Sequence, residues 1–133
     1  MNFIKKHQKV ILIVLAIAAV LYFVVPMVTE NFDANPAPVC VLFHWKDCGH
    51  CKTMMPEWDT LKEMGDDGKL GKTKIEKIEQ AEMKTKAPEH KDVQGYPTIK
   101  YCPNGVKDAA SCKVFSGDRS AEALKTFILK QKK

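Results

Sequence analysis

The sequence predicts an α/β domain, a mixed β-sheet covered by helices on both faces, preceded by one transmembrane helix. The first observation behind this prediction is an uncharged apolar run near the N-terminus. The second is the order β-α-β-α-β-β-α of strand-like and helix-like patterns over the following residues, an order typical of sheets with helices on both faces. The third is a Cys-Gly-His-Cys run at residues 48–51, between the first predicted strand and the first predicted helix of the domain.

The N-terminal apolar run, "VILIVLAIAAVLYFVVPMVT", covers residues 10–29 and contains no charged side chain. As a helix it reaches about 30 Å, the hydrocarbon thickness of a bilayer. Lysines precede the run and acidic residues follow it, so residues 1–9 should form a short cytoplasmic basic segment, with the rest of the chain on the exoplasmic or luminal side. A cleaved signal peptide is the alternative, but such peptides have a shorter apolar region and end in a small-x-small site. We therefore predict an uncleaved signal anchor, which attaches the protein to the membrane.

Beyond the anchor, residues 30–38 contain "NFDANPAP" and indicate a short stiff linker. Residues 39–133 are enough for one small domain. The net charge of +5 comes partly from the N-terminal lysines and partly from the C-terminal "LKQKK". Because neither cluster is part of an aromatic-rich basic stripe, we interpret both as solvated ends and exclude nucleic acid as a partner.

The first half of the domain predicts strand, helix, strand. Residues 39–45 form a nearly continuous apolar run with β-branched and aromatic side chains, typical of a buried central strand. Apolar residues at three- and four-residue steps after Cys51 predict a helix with one face in the core, interrupted by Pro56. Residues 65–71 are rich in turn formers and end this helix. A second strand is predicted at residues 74–79.

The second half predicts a short helix, two strands and a last helix. The charged stretch 81–93 indicates a short surface helix, and residues 97–102 and 112–117 predict two strands joined by a loop that contains Asn-Gly. Ser120 is the predicted N-cap of the last helix, whose apolar face follows at helical spacing.

Three separated segments resemble the thioredoxin superfamily, and specifically the catalytic domains of protein disulfide isomerases. "CGHCK" at 48–52 with "PEW" at 56–58 resembles the isomerase active-site run and its helix proline. "GYPTIKY" at 95–101 resembles the segment with the family's cis-proline, here Pro97, which faces the cysteines and shapes the cleft for the extended substrate backbone. "SGDRS" at 116–120 resembles the turn before the last helix, where Arg119 would assist the second cysteine. The resemblance covers residues 39–131 and implies a thioredoxin-like fold.

The same resemblance implies a thiol–disulfide oxidoreductase that forms, exchanges or reduces disulfides in protein substrates. Cys48 would be the attacking nucleophile and Cys51 the resolving thiol, while Gly49 and His50 would set the redox potential. The partners would be cysteine-containing proteins and a redox partner, namely a thiol oxidase, glutathione or a membrane electron donor. No cofactor is implied. The alternatives are a reductase fed by a membrane electron donor, and a low-turnover binding or structural membrane protein that keeps the fold.

The expected position of Cys48 agrees with this chemistry. At a helix N-terminus, free N–H groups and the helix dipole favour a thiolate, and a partly cationic His50 would favour it further. Cys51, one turn into the helix and more buried, should stay protonated until it resolves a mixed disulfide. Gly-His sequences in isomerases accompany reduction potentials of about −180 mV, against about −270 mV for thioredoxin. The run therefore suits a catalyst that donates or reshuffles disulfides.

Half of a zinc site is the other ordinary interpretation of C-x-x-C. The further ligands would have to come from Cys102, Cys112 and His90, but the tight second C-x-x-C of a zinc ribbon is missing. We predict no metal site. Cys102 and Cys112 end one predicted strand and begin the next, so a structural disulfide between them is expected, which an exoplasmic compartment permits. Cys40, in the apolar strand, is expected to be an inert buried thiol.

Two positions depart from the isomerase pattern. The family carries a buried acid six residues before the first active-site cysteine, which serves proton transfer to and from the second cysteine; here this position is Leu42. The residue just before the first cysteine is usually Trp and here is Asp47, whose carboxylate should oppose ionisation of Cys48. Both departures lead us to expect a lower turnover rate with the dithiol intact.

Overall fold

The computed structural model describes residues 2–29 and 36–132 of the chain. The chain divides into two units, Met1–Ala34 and Asn35–Lys133. The first unit contains helix α1, Asn2–Thr29, whose side chains are exposed at residues 10–22. A search limited to the described residues finds no helix long and apolar enough to cross a bilayer. The membrane anchor stays a prediction, and residues 30–35 of the predicted linker lie outside the described residues.

The second unit is built on a four-stranded sheet with the order β2-β1-β3-β4. Strand β1 is parallel to β2 and antiparallel to β3, and β3 is antiparallel to β4. The sheet is therefore mixed, as predicted, and its central strand is the buried apolar run. The strands are β1 Val39–His44, β2 Lys74–Glu79, β3 Thr98–Cys102 and β4 Lys113–Val114.

Helices cover the sheet unequally. Helix α2, Gly49–Asp66, and helix α4, Ala121–Lys130, pack on one face, where Leu42, Trp58 and Leu124 belong to one buried cluster. On the other face, Val41 and Phe43 of β1 lie in a second cluster beside helix α3, Met83–Lys86. The alternation of β1 side chains between two apolar clusters explains why its sequence is apolar at every position from Val39 to Phe43.

Two predicted elements are shorter than expected. The helix predicted at 81–93 is reduced to a 3-10 turn, Gln80–Glu82, and the single turn of α3, because Ala87 precedes a proline and the residue before proline avoids the helical conformation. The strand predicted at 112–117 is limited to the two exposed residues of β4 at the sheet edge. By contrast, α2 continues through Pro56, and the Ser120 hydroxyl accepts the Ala123 N–H as the predicted N-cap of α4.

Candidate active site

Cys48 is the N-cap residue of helix α2. Its backbone is extended, with φ −81° and ψ 116°, and its Sγ accepts the backbone N–H of Cys51 at 3.2 Å. The Cys48 carbonyl accepts the Lys52 N–H at 3.1 Å, which is the first turn of the helix, and the Cys48 N–H donates to the Trp45 carbonyl at 3.1 Å. The sulfur thus occupies the position where the unpaired N–H groups of a helix attract an anion.

These contacts lower the pKa of the Cys48 thiol. The largest cause is the hydrogen bond from the Cys51 side chain, followed among the favourable contributions by the backbone N–H groups of Cys51 and His50 and by the charge of Arg119, while loss of solvent opposes them. His50 contributes here through its backbone N–H. The influence predicted for its ring stays a prediction, as does that of Asp47, whose side chain is exposed.

The second cysteine shows the opposite behaviour. Cys51 is 1% exposed, and burial is the main reason why its pKa is raised. The hydrogen bond to Cys48 and the charge of that neighbour raise the Cys51 pKa further, whereas the Arg119 guanidinium lowers it. One thiol of the pair is therefore prepared to ionise and the other holds its proton, which matches the order of a nucleophile and a resolving thiol.

The segment before β3 contacts the first cysteine directly. The Tyr96–Pro97 peptide bond is cis, as the resemblance implies. The Cys48 thiol lies 3.5 Å from the Tyr96 carbonyl oxygen and donates to it. Sequence analysis named Pro97 but not this carbonyl, because a backbone acceptor needs no particular side chain and leaves no signal in the sequence.

Arg119 and His50 line the same surface groove, which has a volume of about 330 Å³. Glu57 of α2 also lines it, and its carboxylate accepts the Ala121 N–H at 2.7 Å. This bond ties the start of α4, and with it the turn that carries Arg119, to the active-site helix. Sequence reasoning missed Glu57, since its partner is 64 positions away along the chain.

Two further positions show how the site is built. Leu42 is fully buried in the cluster that contains Trp58 and Ile99, so an apolar side chain fills the position where the isomerases carry an acid. Gly49 is the first residue of α2, and a Cβ added there would meet no atom within 4 Å. Packing therefore does not require glycine at residue 49.

The remaining cysteines lie away from the dithiol. Cys102 and Cys112 form a disulfide, and the β3–β4 register, which pairs Tyr101 with Lys113, brings them opposite each other as the next pair. Cys102 pairs with Val39 at the start of β1, whereas Cys48 follows its end, so the two cysteine pairs are separated by roughly five residues of strand, about 16 Å. The alternative interpretation, a zinc site built from both cysteine pairs, is therefore wrong. Cys40 is fully buried, and burial raises the pKa of its thiol to about 12.

Comparison with known proteins identifies the family of the chain. The thioredoxin family profile matches residues 23–130. The chain is 35% identical over 103 residues to the protein disulfide-isomerase A6 homolog of Drosophila melanogaster, which covers 74% of this chain and 22% of that protein. It is 34% identical over 95 residues to the protein disulfide-isomerase of Oryctolagus cuniculus, with 68% and 17% covered. The chain thus spans about a fifth of the length of these relatives.

Solved structures give the same result for the fold. The solution structure of the first thioredoxin domain of mouse protein disulfide-isomerase A4 is similar, with a TM-score of 0.61 and 27% sequence identity, covering 79% of this chain and 70% of that one. The J-Trx1 fragment of ERdj5 matches at a TM-score of 0.56 over 71% of this chain and 43% of the other, at 24% identity. With the profile, these matches show that the chain belongs to the thioredoxin family.

Proposed function

We propose that the protein is a thiol–disulfide oxidoreductase of the disulfide-isomerase type, which acts on cysteine-containing proteins through the Cys48–Cys51 dithiol. The observation that carries this proposal is the pairing of a helix-capping thiol of lowered pKa with a buried thiol of raised pKa, next to the cis-proline segment. The names of the relatives, which are disulfide isomerases, support it.

The reaction begins at Cys48. Its thiolate attacks one sulfur of a substrate disulfide, a mixed disulfide forms, and the other substrate sulfur leaves as a thiolate that takes up a proton. Cys51 then loses its proton and attacks Cys48 Sγ, which forms the Cys48–Cys51 disulfide and releases the reduced substrate. The reverse sequence oxidises a substrate dithiol. In isomerisation, a second substrate thiol resolves the mixed disulfide and the Cys48 thiolate is regenerated.

Neighbouring groups fit these steps. The Tyr96 carbonyl, 3.5 Å from Cys48 Sγ, lies where a substrate segment would approach, and Pro97 would shape the cleft for an extended backbone. Arg119 lowers the pKa of both thiols, so its charge would help Cys48 attack and later help Cys51 ionise.

The ionisation of Cys48 supports one direction of net transfer. A stabilised Cys48 thiolate belongs to the reduced state, so it makes the disulfide a stronger oxidant. This favours donation and reshuffling of disulfides over reduction by a membrane electron donor. A redox titration of the Cys48–Cys51 pair distinguishes the two: a potential of about −180 mV supports an isomerase, and one of about −270 mV supports a reductase.

Leu42 supports a second candidate function, that of a membrane protein that has the same fold and binds partner proteins with little catalytic turnover. The buried leucine removes the acid that would accept the Cys51 proton. In such a protein, mixed disulfides would form and persist. Measuring the decay of mixed disulfides, and not only their formation, distinguishes this candidate from the isomerase.

We also propose that residues 10–29 anchor the protein in a membrane with the catalytic domain on the luminal or exoplasmic side. The uncharged run of twenty residues, the lysines before it and the exposed apolar side chains at 10–22 support this. Protease added to sealed microsomes tests it. A protected domain is expected, and digestion of the domain would place it in the cytosol.

The catalytic assignment is tested with the full chain in detergent. Cys48→Ser should abolish refolding of a scrambled disulfide substrate, and Cys51→Ser should accumulate mixed disulfides. Cys40→Ala is the matched control, because it removes a buried thiol outside the site and should leave the activity unchanged. Full activity of the Cys48→Ser protein would show that another group is the nucleophile.

A further inference from the structure

Three potential metal ligands meet on the face of the sheet opposite α2. The ring of His90 and the sulfur atoms of Cys102 and Cys112 each offer one ligand atom, and these atoms lie within 4.8 Å of one another. His90 is 1% exposed, Cys102 is fully buried and Cys112 is half-buried. The cluster lies at the other end of the sheet from Cys48, so it is not part of the dithiol site.

The ligand types select a particular class of ion. Two thiolates and one imidazole suit zinc and similar thiophilic divalent ions, whereas calcium and magnesium prefer oxygen ligands. Tetrahedral zinc, with bonds of about 2.3 Å to sulfur and about 2.0 Å to nitrogen, places its ligand atoms about 3.5 to 4 Å apart. In the structure the three ligand atoms lie within 4.8 Å of one another, but the two sulfur atoms are bonded to each other and must move apart after reduction to reach this spacing. In the disulfide, however, neither sulfur is a thiolate, so the site can form only after reduction.

One ring nitrogen of His90 is held by a backbone carbonyl. Its Nε2 lies 2.6 Å from the Val106 carbonyl oxygen. Because a carbonyl can only accept, Nε2 carries the proton and Nδ1 keeps its lone pair. A hydrogen bond from the second ring nitrogen to a backbone carbonyl is the common way in which metal-ligating histidines are oriented.

One cation lies next to this lone pair. Lys100, whose side chain is 3% exposed, places its Nζ 3.3 Å from His90 Nδ1. The same Nζ donates to both carboxylate oxygens of Asp92, at 2.6 and 2.8 Å. Lys100 can therefore release the imidazole without losing its charge partner, and Asp92 offsets the ammonium beside a bound divalent ion.

We propose that reduction of the Cys102–Cys112 disulfide creates a site for a thiophilic divalent ion of the zinc class, with Cys102, Cys112 and the His90 ring as its three protein ligands. The reductant is a dithiol: it gives two electrons, its own sulfurs form a disulfide, and the Cys102–Cys112 bond breaks as each sulfur takes one proton. Binding of the ion then releases these two protons to solvent. A water molecule completes the four ligands.

The test uses the full chain in detergent with Cys48→Ser and Cys51→Ser, which removes the other pair of thiols. After reduction by a phosphine and addition of zinc chloride, metal analysis of the dialysed protein should find one zinc ion per chain, and the oxidised protein should bind none. His90→Ala and Cys112→Ser should each weaken zinc binding by at least about 100-fold, since even residues behind the ligands change affinity by about 10–100-fold. His44→Ala is the matched control and should bind zinc normally.

A second measurement distinguishes the loss of a metal ligand from unfolding of these variants. Zinc should raise the melting temperature of the reduced protein with an intact His90 and leave that of the oxidised protein unchanged, because an ion that binds only the folded reduced state stabilises it. Cobalt in place of zinc should give the absorption of a thiolate-bound ion, and this band should lose intensity in Cys112→Ser. Equal zinc binding by the oxidised and reduced chains would overturn the proposal. So would an unchanged affinity in folded His90→Ala, or a reduced chain that binds no zinc.

Discussion

Replacing Leu42 by glutamate tests the proton route of the resolving step. Burial raises the pKa of Cys51, so this thiol needs an acceptor for its proton when it attacks the mixed disulfide, and buried Leu42 supplies none. We expect the unmodified chain to release substrate slowly, at a rate that rises toward alkaline pH as Cys51 ionises unaided. Leu42→Glu should accelerate release. A positioned general base contributes about 10²–10⁴-fold, and we expect about tenfold or more from a position that has not been optimised.

The same substitution should lower stability. Leu42 is 0% exposed and packs in the cluster with Trp58 and Ile99. Removing the buried apolar side chain costs about 1.5–3 kcal/mol of transfer free energy, and burying a polar group without a partner adds about 1–3 kcal/mol. Even the low end, about 2.5 kcal/mol, would lower the melting temperature by about 10–20 °C in a domain of this size. A domain stable by about 5–15 kcal/mol can still fold at 25 °C, so the rate remains measurable.

Leu42→Gln is the matched control. It buries a side chain of the same shape and polarity, and so carries a similar loss of stability, but it cannot accept a proton at neutral pH. Stopped-flow measurement of mixed-disulfide decay from pH 6 to pH 10 compares the two variants. If folded Leu42→Glu decays no faster than Leu42→Gln, another group takes the Cys51 proton and the reasoning is refuted.

Three other predictions follow from the same contacts. Cys51→Ala should move the pH profile of Cys48 alkylation to higher pH, toward that of an ordinary thiol, because it removes the largest cause of the lowered Cys48 pKa. An unchanged profile would show that the Cys51 side chain is not that cause. Arg119→Ala should shift the profile the same way and slow alkylation at neutral pH by about fivefold or less, since an exposed charge acts weakly, and Arg119→Lys should restore it. Asp92→Asn should lower the free energy of unfolding by about 1 kcal/mol or less at pH 7, because the Asp92 side chain is 64% exposed and water screens its charge. The Lys100 hydrogen bond lowers the Asp92 pKa, so the unmodified protein gains this stability above about pH 4 and loses it as pH falls further, whereas denaturation of the variant should lack that dependence.

The central elements could be predicted because their patterns are local. Strand β2 has the predicted bounds, β1 differs by one residue, and Ser120 caps α4 as its sequence indicates. Each of these depends on a few adjacent side chains whose burial or capping chemistry is unambiguous. The short elements α3 and β4 were harder to predict from the sequence. The 81–93 segment is charged and gains little by burying one face, so a proline decides where its helix ends, and β4 is a two-residue edge strand.

The site could be predicted at its cysteines but not at its supporting contacts. The C-x-x-C run, together with the three segments that resemble the isomerases, pointed to Cys48 and Cys51. The Tyr96 carbonyl and the Glu57 bond to Ala121 depend on how distant segments come together, and no local pattern encodes them. The proximity of His90 to the disulfide is of the same kind, since strand register and a loop conformation decide it together.

The capping role of Cys48 has a consequence for the motion of the active-site helix. The sulfur that would exchange electrons with substrates is also the acceptor for the Cys51 amide. Each covalent bond formed at that sulfur removes negative charge from it, and so weakens the cap at the start of α2. Amide hydrogen–deuterium exchange at Cys51 and Lys52 should therefore be slowest in the reduced protein at a pH where Cys48 is ionised, and faster in the mixed disulfide. The frequency with which the first helical turn opens would then rise and fall with each catalytic cycle, while amide exchange in the later turns of the helix stays constant.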